Sequence, residues 1–174
     1  MKKKSKKPGV PLRYMLRPLL YRLFGPLLPT LVGNSAYQLW LTPLKFNPPE
    51  AEQNFANKAK KSTLSFEGLN IRLWSWGEGP VVLFIHGWAG RGTQIAAFID
   101  PLVAAGFQVM SLDLPAHGES EGKQTNLPQI SKILGEVCKQ IENLHSVITH
   151  SFGGMIFSHF YKPDLGLQKI IMFC

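Results

Sequence analysis

The stretch SVITHSFGGMIF, residues 146–157, decides the fold. Its first half is an apolar run with β-branched members, which suits a buried strand. Its second half has the spacing of an apolar helix, and Ser151 stands at the junction. Gly153 and Gly154 let such a helix approach the strand closely. A sharp strand-to-helix turn lifts a serine hydroxyl above a sheet.

A second serine competes for the role. GESEG, residues 118–122, is a literal G-x-S-x-G, whereas THSFG, residues 149–153, departs from it at Thr149. S-x-G alone decides nothing, because it also occurs at Ser75-Trp76-Gly77. Context separates the two. Ser120 follows a loop carrying Pro115 and precedes the polar EGKQTNLP, so no strand enters it and no helix leaves it. Glu119 and Glu121 flank it, a poor setting for a developing oxyanion. Ser151 is therefore the candidate nucleophile. Thr149 is β-branched where a glycine relieves crowding, so the turn is expected to absorb some strain.

Outward from this junction, strands alternate with helices. VVLFIHG (81–87) and FQVMSLD (107–113) read as strands buried on both faces. TQIAAFIDPLVAAG (93–106) reads as a helix kinked at Pro101 and ended at Gly106. LPQISKILGEVCKQIENL (127–144) puts Ile130, Ile133, Leu134, Val137, Ile141 and Leu144 on one helix face. FGGMIFSHFYK (152–162) reads as a helix and KIIMFC (169–174) as a strand. STLSFEG and NIRLWSW, joined near Gly68-Leu69-Asn70, predict an antiparallel hairpin. The pattern predicts an α/β fold with a parallel sheet.

Charge divides the chain. Of its 174 residues, residues 1–50 hold nine Lys or Arg and one acid, Glu50, while residues 51–174 hold ten of each sign. The net charge of +8 thus belongs to the N-terminal segment, and nothing marks the remainder as nucleic-acid binding. The domain reading is a basic, apolar extension over 1–61 and an α/β core over 62–174. Arg13, Arg17 and Arg22 interrupt the apolar run of the extension, and Pro18, Pro26 and Pro29 break it, so no membrane span or cleavable signal is expected. Residues 1–24 are a candidate for contact with an anionic membrane surface. Cys138 and Cys174 form no metal or redox spacing. The five histidines show no i, i+4 pairing with a carboxylate partner, so neither metal nor cofactor is expected. His86 and His117 read as loop-holding residues and Arg91 as a salt-bridge residue.

His86-Gly87 after one strand, Asp113-x-Pro115-x-His117-Gly118-x-Ser120 after the next, and His150-Ser151-Phe152-Gly153-Gly154 after the third resemble the α/β-hydrolase superfamily in order and placement. The resemblance covers residues 62–174. HGWAGR with LDLPAHGES is similar to bacterial members with basic N-terminal extensions. It implies a sheet order 1-2-4-3-5-6-7-8, with this chain covering the fold's N-terminal portion through the sixth strand. It implies attack by Ser151 on the acyl carbonyl of a small-molecule ester or related substrate. Backbone N–H groups of Trp88 and Phe152 would form the oxyanion hole, supported by His86, Gly87 and Gly153. The family takes its triad acid and histidine from later strands. After Ser151 this chain offers Asp164 and His159, neither at a family position, so the triad acid and His are expected to be absent and the chain alone inactive. A cytoplasmic location, peripheral on the membrane, is expected. A non-catalytic binding protein and a membrane-surface interaction protein are the alternative readings.

Overall fold

In the computed structural model, residues 12–161 and 165–174 are described. The sequence reading of Lys162 as helical, of Asp164 as the acid following Ser151, and of residues 1–11 as part of the basic segment lies outside them. The chain divides into two compact units, one ending at Leu41 and the other spanning Thr42–Cys174. The first contains helices α1 (Leu12–Phe24) and α2 (Pro29–Trp40), joined by a short turn. Tyr21 Oη and Ser35 Oγ, 3.0 Å apart, link the pair. No described helix is long and apolar enough to cross a membrane.

The second unit is built on one six-stranded sheet ordered β1-β2-β4-β3-β5-β6. Its strands are β1 (Lys60–Phe66), β2 (Leu69–Trp76), β3 (Val81–Ile85), β4 (Gln108–Leu112), β5 (Leu144–His150) and β6 (Lys169–Phe173). β1 and β2 are antiparallel to their neighbours, and β3 to β6 run parallel. The hairpin turn falls earlier than the sequence suggested. Phe66 pairs with Leu69, so the loop is Glu67-Gly68, both at positive φ (47° and 78°). A two-residue loop of this kind matches the twist of its strands.

Helices α3 (Glu50–Lys58), α4 (Ala96–Ala104), α5 (Leu127–Lys139) and α6 (Phe152–Phe160) cover the sheet, with a 3₁₀ turn over Gly92–Ile95 leading into α4. β3 is buried along its whole length, as its uninterrupted apolar run requires. On one face Leu83, Ile85, Leu112, Ile133, Leu134 and Phe157 meet in a core between the sheet and α5 and α6. On the other, Trp74, Trp76, Phe84, Ile95, Ile99 and Val109 form a second cluster. Phe55, Ala56 and Ala59 pack on that second cluster, so residues 42–61 fold with the sheet rather than with the N-terminal helices.

Asn126 caps α5, accepting from the Gln129 N–H at 2.9 Å. The helix ends at Lys139, earlier than the periodicity suggested. Leu144 is drawn into β5 by pairing with Val81, while Ile141 keeps its place in the core. Cys138 is buried and Cys174 exposed, both as free thiols.

β6 is the edge of the sheet beside β5, and every residue in it is exposed. Ile170, Ile171, Met172 and Phe173 retain 40–50% of their surface. An apolar edge with unpaired N–H and C=O groups is a template for pairing between chains. The 174-residue chain should therefore self-associate, and Ile170→Lys with Met172→Lys should move it toward a monomer in size-exclusion chromatography. An unaltered elution profile in the double variant would show that association, if present, does not run through this edge.

Candidate functional site

Ser151 lies between β5 and α6 in a backbone conformation that L-residues rarely adopt, φ 50° and ψ −120°. Such a conformation costs roughly 1–3 kcal/mol and persists only where its surroundings fix it. Two hydrogen bonds do so: Ser151 N–H donates to Phe173 O at 2.7 Å, and Gly154 N–H donates to Ser151 O at 2.9 Å. The side chain remains exposed.

Gly153 explains how the helix start reaches the sheet. A Cβ there would collide with the carbonyl oxygen of Ile85 and lie 2.8 Å from that of His86. Gly87 approaches from the β3 side, where an added Cβ would stand 3.1 Å from both Ser151 Cβ and His150 O. Trp88 packs edge-on against Phe152, with ring centroids 5.4 Å apart. The structure thus brings Ser151, Phe152, Gly153, His86, Gly87 and Trp88 together. First-turn N–H groups of a helix have no partner within it, and Phe152 is the first residue of α6.

Thr149 does not prevent the turn. Its side chain is fully buried and points at the space left by Gly154, where a Cβ would stand 3.3 Å from Thr149 Oγ1. That hydroxyl has no hydrogen-bond partner among the described residues, so the β-branch is accommodated at a polar cost of about 1–3 kcal/mol.

His86 holds the loop that carries Gly87 and Trp88. Its Nε2 accepts from Leu114 N–H at 3.0 Å, so Nδ1 carries the proton and donates to Gly87 O at 2.7 Å. This ties the end of β3 to the end of β4. Burial, and then the neighbouring His117, push the His86 pKa down to about 3. His117 is bonded through Nδ1 to Pro115 O at 2.8 Å, and burial lowers its pKa to about 4.

Both imidazoles are neutral in the fold and ordinary in the unfolded chain. Their contribution is complete above an unfolded pKa of 6.5 and is lost as pH falls through the window toward about 4 and 3. Asp113 acts in the opposite sense, since burial raises its pKa. Chemical denaturation of a monomeric form should show stability falling by on the order of 2 kcal/mol between about pH 7.5 and pH 5.5. A flat profile would mean the two rings are protonated in place.

Ser120, the literal motif match, is held inside the fold. It is 2% exposed. Its Oγ donates to Asp113 O at 2.6 Å and accepts from Arg72 N–H at 2.8 Å, which extends the β2–β4 ladder by one side-chain bridge. Ser120→Ala leaves the part-buried Arg72 N–H without this partner and should cost about 1 kcal/mol of stability. A denaturation midpoint unchanged by the substitution would contradict this role. Arg91 is also structural, pairing with Glu52 at 2.6 and 2.9 Å while Thr93 Oγ1 donates to the same carboxylate at 2.9 Å. Sequence reasoning named Asp113 within a motif but gave it no role; its carboxylate accepts from Gly92 N–H at 2.6 Å and Glu119 N–H at 2.8 Å. No local pattern signals that convergence of separate loops.

After Ser151, His159 is engaged elsewhere, its Nδ1 2.9 Å from Ser131 Oγ. A cavity of about 290 Å³ lies beside Trp74, Arg91 and Asp113, and a groove of about 650 Å³ lies between α5 and α6. Ser151 lines neither.

The sequence model of the Alpha/beta hydrolase family matches residues 82–172, more than half of the chain. The chain belongs to the alpha/beta hydrolase family. The matched span begins in β3 and runs through the Ser151 turn into β6. A human serine hydrolase-like protein is 31% identical over 112 residues, 59% of this chain and 54% of its own length. Among solved structures, the thioesterase domain from the curacin biosynthetic pathway superposes with a TM-score of 0.55 at 30% identity, covering 59% of this chain and 39% of that one. An epoxide hydrolase from Vigna radiata superposes at 0.60 with 17% identity over 67% of this chain and 38% of its own, a likeness of fold alone. The chain thus spans about half of that human relative and less of the two solved structures.

Proposed function

We propose that the chain carries the nucleophile and oxyanion hole of a serine hydrolase that transfers an acyl group from a small-molecule ester, or a related acyl compound, to water. The observation behind this reading is the Ser151 backbone, held at φ 50° and ψ −120° between β5 and α6 in an exposed residue. The kinship with a serine hydrolase-like protein and a thioesterase domain supports acyl chemistry.

On this reading Ser151 Oγ forms a bond to the acyl carbon while the carbonyl π pair moves onto oxygen. That oxygen accepts hydrogen bonds from the N–H groups of Phe152 and Trp88. One such donor is worth about 10²–10³-fold in rate. Collapse breaks the bond to the leaving oxygen, which takes up the proton removed from Ser151 and departs as the alcohol; water then adds to the acyl carbon, the bond to Ser151 Oγ breaks, and the acid leaves as Oγ regains a proton. The hydroxyl proton needs a general base. His159 is committed to Ser131, so on this reading the base comes from a later strand, as the family resemblance implies. A form of the protein that extends past Cys174 should hydrolyse p-nitrophenyl esters and be inhibited by a fluorophosphonate. The 174-residue chain alone should stay near the uncatalysed rate. Absence of turnover and of fluorophosphonate reactivity in the extended form would favour a non-catalytic binding role, the reading that His159's engagement also supports.

A further inference from the structure

We propose that α1 seats the protein on an anionic membrane surface, lying flat with its apolar arc in the lipid. At 3.6 residues per turn, Met15, Leu19, Leu23, Leu16, Leu20 and Phe24 fall within an arc of about 180°. A soluble amphipathic helix buries such a face against its own core. Here all six are exposed, at 47–65% of their surface. Tyr21, which faces Ser35 of α2, lies outside the arc. The apolar face is therefore turned away from the helix pair's own contact. Leu27 and Leu28, in the turn that follows, are exposed at 75% and 47% and add to the same surface.

Charge selects lipid over the apolar face of another protein. Arg17 and Arg22 fall on the two borders of the arc, where long cationic side chains can lie along apolar surface and place their heads among phosphates. Residues 1–41 hold eight Lys or Arg and no acid, the first acid of the chain being Glu50. Each basic residue near an anionic surface contributes about 1 kcal/mol, and the contribution is screened by salt. The helix is 13 residues long, so at about 1.5 Å per residue it is too short to cross the roughly 30 Å of a hydrocarbon core. An in-plane position satisfies both the arc and the borders.

Co-flotation of the full 174-residue chain with vesicles reads this directly, because aggregates sink and bound protein rises. The chain should float with phosphatidylcholine vesicles containing about 30% phosphatidylserine, and at least about tenfold less with phosphatidylcholine alone. Leu16→Gln with Leu20→Gln should lower flotation at least about tenfold, while Thr30→Gln with Asn34→Gln on α2 should leave it within about threefold. Three outcomes would overturn the proposal: no flotation with the anionic vesicles, equal flotation of the Leu16/Leu20 variant, or equal binding to neutral vesicles. A chain captured instead by RNA, and released by nuclease, would likewise overturn it in favour of a nucleic-acid role for the basic segment.

Discussion

Ser151→Ala is expected to lower kcat/KM for p-nitrophenyl esters by at least about 10⁴-fold in a form of the protein that supplies the acid and histidine. The effect is large because the substitution removes the only atom that bonds to the acyl carbon. The residual rate comes from the oxyanion donors and binding. Alanine keeps Cβ and the same backbone constraints, and the Ser151 hydroxyl caps nothing in α6, so the fold should be unchanged. Ser120→Ala should give the complementary result, a less stable protein with near-normal kcat/KM once folded, because its hydroxyl bridges Arg72 and Asp113. Activity that survives in the Ser151 variant and disappears in a folded Ser120 variant would reverse the assignment.

Gly153→Ala should lose activity on the order of 10²-fold, because a shift of about 1 Å in a reacting group costs that much. The added methyl would meet the Ile85 carbonyl oxygen and lie 2.8 Å from the His86 oxygen, and backbone cannot move aside as a flexible side chain can. The start of α6 must then rise off β3 and carry Ser151 with it, at a further cost of about 1–3 kcal/mol in stability. Gly154→Ala gives a graded comparison. Its methyl would stand 3.3 Å from Thr149 Oγ1, a side-chain atom, and should cost much less. Equal kinetics for wild type and Gly153→Ala would show that the close approach does not position the nucleophile.

The strands and helices around Ser151 were legible because each carries one dominant signal. VVLFI is apolar throughout and is buried throughout. The glycines after Ser151 announce a close approach, and it is there. No strand enters the literal motif at Ser120, as its flanking residues suggested, but the serine's bridge between Arg72 and Asp113 depends on a long-range pairing that no local pattern encodes. Boundaries were legible only where chemistry marks them. Asn126 marks the start of α5, whereas the end of that helix is set by the capture of Leu144 into β5. The placement of residues 42–61 was hidden for a similar reason. Phe55 and Ala56 show no alternation, and their partial burial comes from packing on the cluster around Trp76, whose Nε1–H donates to Phe55 O at 2.8 Å. The tie of Asp113 to Gly92 and Glu119 joins segments distant in the chain, so it too becomes visible only once the sheet is assembled.

Mass-spectrometric localisation of a fluorophosphonate adduct tests the central assignment most directly. The extended protein would be labelled, digested after Lys and Arg, and the modified residue placed by fragmentation. Ser151 and Ser120 fall in different peptides, since Lys123, Lys132 and Lys139 lie between them. A single stoichiometric adduct on Ser151 is expected. An adduct on Ser120, or ester turnover blocked by the reagent while Ser151 stays unmodified, would contradict it.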